Sequence, residues 1–318
     1  MTSMTPLIVD TDAGFDDFLA ITYLLAAGVP IEAFTLVNGI SDVDEGARAL
    51  LLLQENAGLP TRIPIYKGSR DPMSGTNHFP DEWRHQATEI IKDLHWGEPS
   101  GTIGTEGAVE FLVRRLSDAS NPAQILAIGP LTNLGRTLQQ APASAKAIQR
   151  LMIMGGAIGV KGNIPPALKA EGNVYVDPLA AQTVFSSPIR PTLVPLNDTN
   201  RVRITKAFID GFNPPGALGA IAKAILEIIE SKFIGPHQPA YDAWDPLAAV
   251  ALTTPAVLEQ MTQIDVEVVQ SGIDVGQTVE GCEAADVHVA KSASAAIFKE
   301  AYTAGFASGS GAATYLAT

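Results

Sequence analysis

Short apolar runs of four to six residues recur through the first 200 positions: "LIVD" (7–10), "EAFTLV" (32–37), "RIPIY" (62–66), "QILAI" (124–128), "RLMIM" (150–154) and "PTLVPL" (191–196). Runs of this length, bounded by turn residues, predict strands buried on both faces. Between them, helical patterns fall near 16–27, 44–57, 107–117 and 178–186. The rhythm predicts βαβ units and therefore an α/β protein, with an open, mostly parallel central sheet flanked by helices. The runs lead into polar or Gly-rich loops: "DTDAG", "NGISD", "KGSRD", "GPLTN", "GGAIG" and "NDTN". Ligands of such folds sit beyond the carboxyl ends of the strands. All six loops are expected to crowd one rim.

After residue 200 the pattern changes. A helical stretch near 217–233 leads through "IGPHQPAYDAWDPLAAVAL" into another helix, and "IDVEVVQSG" (264–272) and "DVHVAKS" (286–292) read as strands that pair. Small and polar residues fill the tail from 305 to 318, which reads as flexible. Neither a repeat nor a linker divides the chain, so residues 1–318 are expected to form a single domain.

Composition narrows the partners. With 46% hydrophobic and 17% charged residues among 318, the chain is an ordinary globular protein. A formal net charge of −13 excludes the basic face that a nucleic-acid backbone requires. Cys282 is the single cysteine, which rules out an internal disulfide and a thiolate metal site. No run reaches the roughly 20 apolar residues of a transmembrane helix, and "MTSMTPLIVD" lacks the form of a secretion signal. A soluble, cytoplasmic protein acting on a small neutral molecule or a cation fits this balance.

The candidate chemistry lies in "DTDAGFDD" (10–17), where four carboxylates follow the first apolar run. Like charges at 4 Å repel by about 4 kcal/mol at an effective dielectric near 20. Asp10 and Asp12 sit two apart at a strand end and share a face, while Asp16 and Asp17 open the next helix, where an acid can cap. A lone Asp there would be a cap or a turn. Four together point to a hard cation, Mg²⁺ or Ca²⁺, held by oxygens. An apolar run followed by Asp-x-Asp also suits a dehalogenase-type phosphatase, but neither Lys161 nor Lys169 stands in the context that reaction needs.

The whole string resembles the hallmark Asp-x-Asp-x-Gly-x-Asp-Asp of the calcium-dependent nucleoside hydrolases. Other segments match that family in order: "AIGPLTNL" (127–134), "IMGGAIGVKGN" (153–163), "AEGNVYVDPLAA" (170–181), "PLNDTN" (195–200) and "WDPLAA" (244–249). The resemblance implies the Rossmann-like fold of that family and hydrolysis of an N-glycosidic bond. It further implies Ca²⁺ held by Asp12, Asp17, Asp245 and the carbonyl of Ile128, with Asp10 orienting the cluster and Asp12 as general base toward the attacking water. Asp16, Asn163, Glu171, Asn173 and Asp245 would bind the ribose. A nucleoside-binding protein without catalysis would be expected to have lost one of these groups, and none is missing.

Two indoles bear on the substrate. Trp244 precedes the last metal Asp where inosine–uridine-preferring members carry a His, and Trp83 lies in "HFPDEWR" (78–84) among side chains too polar for a core segment. Both resemble the purine-specific inosine–adenosine–guanosine branch, in which two indoles sandwich the base. A purine ribonucleoside substrate and a homodimeric or homotetrameric assembly are implied, with a broad or modified-nucleoside specificity as the alternative. Some positions depart from the pattern. Ile40 replaces a common Asn, and only Asp42 and Asp44 offer a carboxylate in that loop. Gly172 replaces a bulky aromatic, which is expected to leave room near the sugar's 5′ end. His237 and Tyr241 lie in a stretch suited to closing over the site.

Overall fold

The computed structural model describes residues 5–282 and 286–307. Its centre is an eight-stranded sheet in the order β10-β13-β6-β5-β4-β1-β2-β3. The six apolar runs form its body: β1 (Leu7–Thr11), β2 (Ile31–Leu36), β3 (Ile65–Lys67), β4 (Ala123–Ala127), β5 (Ile148–Met154) and β6 (Thr192–Val194). All six run parallel. β13 (Val287–Val289) continues the parallel set beside β6, and β10 (Thr262–Ile264) closes the edge antiparallel to it. The expected α/β architecture is therefore present.

Helices cover both faces: α1 (Phe15–Ala26), α2 (Val43–Asn56), α3 (Asp81–Asp93), α4 (Ala108–Arg115), α5 (Thr132–Gln140), α6 (Gly172–Val176) and α7 (Pro178–Phe185) from the first part. The later part contributes α8 (Leu196–Thr199), α9 (Lys206–Gly211), α10 (Gly216–Phe233), α11 (Trp244–Thr253) and α12 (Ala295–Gly305). Short pairs join β7 (Arg203–Thr205) to β8 (Ala240–Asp242), β9 (Leu258–Glu259) to β14 (Ser292–Ala293), and β11 (Val266–Val268) to β12 (Thr278–Glu280). None of the helices among the described residues is long and apolar enough to cross a membrane.

The expected strand 264–272 is instead two. β10 ends at Ile264, Asp265 breaks the ladder, and β11 pairs with β12 rather than with the sheet. Of the expected pairing between the two segments only Ile264 opposite Val287 is present, because β10 otherwise lies before residue 264 and β11 pairs with β12. The expected flexible tail falls beyond residue 307 and lies outside the described residues, save for Gly305, Phe306 and Ala307. Helix α3 has no counterpart among the predicted elements. Its "PDEWRHQATEIIKD" is polar, and only Ala87 and Ile90 are buried.

Helix α1 packs chiefly against α11 and α10, and every one of its residues except Asp16 is buried. Such a helix sits between the sheet and an outer layer and is apolar all round. Its N-terminus lies directly after β1, so the chain leaves the sheet through "DAG" and turns into the helix at the sheet's carboxyl rim. Ala13 adopts φ 54° there, and Thr11 Oγ1 accepts from its N–H at 3.0 Å.

A buried polar knot holds the rim under β1 and β2. Asp10 Oδ1 accepts from Thr35 Oγ1 at 2.6 Å and from Asn133 Nδ2 at 2.9 Å. Asn133 also donates to the Leu36 carbonyl at 2.8 Å and accepts from Ser69 N at 3.2 Å, so one amide ties β1, β2 and the loop after β3 to the start of α5. Burial raises the Asp10 pKa to about 7 against these hydrogen bonds. Removing one partner of a buried pair leaves the other unsatisfied, at about 1–3 kcal/mol per group. Asn133→Ala is therefore expected to lower the unfolding free energy in urea by about 2–4 kcal/mol. A loss below about 1 kcal/mol would show that the knot is dispensable.

Candidate active site

A cavity of about 390 Å³ opens above β1, β4 and β5. Its acidic floor is made where two helices begin. Asp16 and Asp17 occupy the first turn of α1, and Asp245 the first turn of α11. One oxygen from each of these three lies within 4.8 Å of the others. Helix N-termini favour negative charge, which eases but does not cancel this crowding. Asp12 follows β1 directly, and the Asp17 charge comes second only to burial in raising its pKa, so it belongs to the same acidic floor.

The backbone fixes these groups. Asp17 accepts from Gly14 N at 2.9 Å and from the Thr11 hydroxyl. Asp12 Oδ2 accepts from Ile40 N at 2.8 Å. Gly39, just before, is obligatory: a Cβ there would stand 2.0 Å from Asp12 Oδ2. The departure at Ile40 thus leaves the backbone contact intact, and the Ile40 side chain forms part of the cavity wall.

Burial comes first among the causes that raise the pKa of Asp12, Asp17 and Asp245, and for Asp12 and Asp245 repulsion by neighbouring carboxylates follows. Asp16 rises to about 7 from burial and the Asp17 charge. A set of buried oxygens that cannot all ionise alone is what a divalent cation stabilises. The Ile128 carbonyl also lines the cavity and accepts from Asn173 Nδ2 at 3.1 Å. All the donors are oxygens, which suits a hard cation.

Asn163, Glu171 and Asn173 line the same cavity. Glu171 caps α6: its Oε1 accepts from Asn173 N at 2.8 Å and its Oε2 from Gly156 N at 2.9 Å and Val174 N at 3.2 Å. Burial raises its pKa while these N–H groups oppose the rise. Asn163 Oδ1 is buried and without a partner.

Aromatic side chains make the remaining wall. Trp83 on α3 and Trp244 at the start of α11 both face the cavity, as do Phe79, Phe233 and Tyr241. Tyr241 meets Trp244 edge-on at 4.9 Å. The Tyr241 hydroxyl and Trp244 Nε1 are both buried without a partner. Burial and the Asp16 and Asp245 charges push the Tyr241 phenol well above its ordinary range. No sequence pattern had pointed to Phe79, Phe233, Gln86, Lys232 or Gln238, which also line the cavity.

Several expectations are corrected. Asp42 does not reach the cavity; it caps α2, accepting from Asp44 N at 2.9 Å, and pairs with Arg70 at 2.8 Å. His237 is exposed and its neighbour Gln238 lines the cavity instead. Asp10 faces Thr35 and Asn133 rather than the cluster, so its hold on Asp12 runs through the strand they share. Of the six loops only "DTDAG" and "NGISD" place residues in the cavity lining, Asp12 and Ile40; Ile128 and Met154, just before "GPLTN" and "GGAIG", line it in place of those loops, and "KGSRD" and "NDTN" contribute no lining residue. Gly172 leaves no added room, for Phe79 fills the space a side chain would take. Lys161 and Lys169 are both exposed and outside the cavity.

The fold is an α/β one with a mostly parallel sheet, and its cleft is floored by carboxylates and lined by aromatic rings. The chain belongs to the inosine-uridine preferring nucleoside hydrolase family, whose model matches residues 7–301. It is 32% identical over 282 residues to uridine nucleosidase 1 of Arabidopsis thaliana, covering 86% of this chain and 81% of that one. It is 32% identical over 250 residues to the pyrimidine-specific ribonucleoside hydrolase RihA of Salmonella paratyphi A, covering 75% and 78%. Against two probable uridine nucleosidases of Oryza sativa the match reaches 34% and 33% identity over 63% of this chain, and the chain spans only 60% and 58% of their length. Among solved structures, a plant nucleoside hydrolase, the PpNRh1 enzyme, superposes with a TM-score of 0.83 at 25% identity over 95% of this chain and all of that one. A purine-preferring ribonucleoside hydrolase from Gardnerella vaginalis shares the fold, with a TM-score of 0.80 at 22% identity over 98% of this chain and all of that one.

The carboxylates give a pH prediction. In chelator, Asp10 and Asp16 titrate near 7 in the folded chain and near 4 when unfolded, so the folded state binds more protons. Their stabilisation is complete below about pH 4 and is lost as pH rises through about 7. The melting temperature in EDTA is expected to fall between pH 5 and pH 8, and a saturating divalent cation to reverse most of that fall. A profile in EDTA that is flat or rises with pH would contradict this.

Proposed function

We propose that the protein hydrolyses the N-glycosidic bond of ribonucleosides, with a preference for purines, and that its cation is Ca²⁺. The observation that carries this is the presence, in the lining of one cavity, of a carboxylate cluster and two indoles. The floor suits the vicinal diol of a ribose; the indoles suit a flat, apolar ring.

Asp17, Asp245 and Asp12, with the Ile128 carbonyl, would hold the cation, and Asp16 completes the acidic face. A calcium ion there supplies charge that relieves the carboxylate repulsion, grips a diol and acidifies water at the site. Asp12, fixed by Ile40 N and Gly39, takes the proton from the attacking water. The water oxygen bonds to C1′ as the C1′–N bond breaks, and the electron pair leaves with the base. Asn163, Glu171 and Asn173 hold the sugar hydroxyls, so the ring is oriented before reaction. Solvent supplies the proton that the departing base takes; among the described residues that line the cavity there is no His.

Stacking accounts for the purine preference. It contributes about 1–3 kcal/mol per base, and a purine covers more of an indole face than a pyrimidine. A second reading, uridine as substrate, is favoured by the curated relatives named for uridine or pyrimidines. Only rates on this protein separate the two.

Asp12→Asn keeps the shape and removes the proton acceptor. It is expected to lower kcat at least about 10²-fold with calcium still bound. Ordinary turnover in that variant, with its calcium content measured by mass spectrometry, would move the base elsewhere.

On specificity, kcat/KM for inosine, adenosine or guanosine is expected to exceed that for uridine. Trp83→Ala or Trp244→Ala should each cost the purine roughly 5- to 150-fold and the pyrimidine less. A wild-type preference for uridine would establish the second reading. An unchanged inosine-to-uridine ratio in both variants, with melting temperatures far below wild type, would show the indoles to be packing residues.

A further inference from the structure

Beyond the ends of β5 and β6 the two chains stay paired. Gly155 N donates to the Val194 carbonyl at 3.3 Å, and Leu196 N to the Gly156 carbonyl at 2.9 Å. The second chain then curls into α8, and a side chain continues the ladder. Asn197 Oδ1 accepts from Ile158 N at 3.1 Å, and Asn197 Nδ2 donates to the Ile158 carbonyl at 2.8 Å. A carboxamide can do this because it carries both an acceptor and a donor.

The two residues before Ile158 are held in a similar way. Gly156 N donates to Glu171 Oε2 at 2.9 Å, and Ala157 N to Thr278 Oγ1 at 2.8 Å. Three consecutive N–H groups therefore end on three side chains, from the start of α6, from β12 and from α8. Thr278 is buried, at 1% exposure, and its ribbon is fixed to α7. Gln182 on that helix accepts from Val268 N at 2.7 Å, and Gln270 Nε2 donates to the Pro178 carbonyl at 3.1 Å. Neither Thr278 nor Asn197 lines the cavity, but the segment they hold runs from Met154 to Asn163, and both of those do. Its far end is tied down too: Gly162 N donates to the Leu168 carbonyl at 2.9 Å, and Asn163 N to the Ala170 carbonyl at 3.0 Å.

We propose that Thr278 and Asn197 are positioning residues for the reaction: from outside the cavity they fix the backbone of residues 156–158, and through it the Glu171 carboxylate and the Asn163 side chain. This rests on the reading of Glu171 and Asn163 as groups that hold the substrate. At Glu171 the coupling is short, since its Oε2 bonds the N–H next to the one that Thr278 holds. At Asn163 it runs through a turn whose middle, Gly159 to Lys161, is exposed, so the clamp at 156–158 and the tie at 162–163 define where that turn goes. A reacting group displaced by about 1 Å from a remote change can cost on the order of 10²-fold. The Thr278 hydroxyl carries this role, and its methyl does not.

Two variants separate the hydroxyl from the methyl. Thr278→Val keeps the shape and removes the acceptor; Thr278→Ser keeps the acceptor and removes the methyl. The substrate is inosine or uridine, whichever wild type cleaves faster, at a temperature well below the melting transition of every variant. Thr278→Val is expected to lower kcat/KM at least about 5-fold, and Thr278→Ser to stay within about 2-fold of wild type. Because Thr278 acts partly through Asn163, Thr278→Val is expected to cost less in an Asn163→Ala background than in wild type. Asn197→Leu, apolar and of similar size, carries the same comparison where Thr278→Val folds poorly. The proposal is overturned if Thr278→Val and Asn197→Leu both match wild type, if Thr278→Ser falls as far as Thr278→Val, or if the two costs simply add. Failure of wild type to cleave either nucleoside would overturn the nucleoside reading instead.

Discussion

The arrangement depends on carboxylates that the fold forces together and does not let apart. Asp17 and Asp245 are buried in the first turns of α1 and α11, and those two helices are packed against each other along their length. From Asp245 to Leu252 and from Asp17 to Ala26 every residue is buried, so neither helix can swing outward to separate the charges. Apolar packing therefore holds an electrostatic configuration that water would disperse. Buried charges of one sign survive only by protonation or by a counter-charge. The strain is localised where a positive ion is useful, which is how a stable core can carry a site that is unfavourable by itself.

The acids divide by what surrounds them. Asp10 is kept one layer below the cavity by Thr35 and Asn133, and Asp177 is likewise enclosed, accepting from Thr132 Oγ1 at 2.7 Å and Met73 N at 2.7 Å. Glu171 faces the cavity, but backbone N–H groups secure its carboxylate. Asp17 and Asp12 also keep donors, from Gly14 N and the Thr11 hydroxyl and from Ile40 N, yet Asp17 still lies within 4.8 Å of the Asp16 and Asp245 oxygens. Hydrogen bonds fix where these carboxylates point without removing their crowding. At Glu171 the N–H supply comes from the N-terminus of α6.

The legible part of this site was local. Asp12, Asp16 and Asp17 of "DTDAGFDD" come together because the chain turns from β1 straight into α1, whereas Asp10, expected on the same face as Asp12, is held by Thr35 and Asn133. The polar neighbours of Trp83 marked it as a residue outside the core, and it lines the cavity from a helix that buries little. What the sequence did not reveal depends on contacts between distant segments. Asp42 looked like a site carboxylate, but a nearby Arg70 and the start of α2 claim it. Gly172 looked like added space because the ring that fills it comes from position 79. The segment 264–272 looked like one strand, but only its first residue, Ile264, belongs to β10, and β11 finds its partner in β12.

Chemistry and selectivity come from different layers of the molecule. The carboxylate floor is built at the ends of β1, α1 and α11, within the central packing. The aromatic wall is supplied by α3, which buries only two residues, and by the stretch from Phe233 to Trp244 at the rim. Changes in the rim cost little core packing, whereas changes in the floor disturb the charge balance that the core enforces. A fold divided in this way can hold its reaction constant while its choice of base varies. Proteins of this fold named for uridine and others named for purines are what such a division produces. In this chain the rim is aromatic, with Phe79, Trp83, Phe233, Tyr241 and Trp244 all in the cavity lining, so what reaches the carboxylate floor must first pass ring faces.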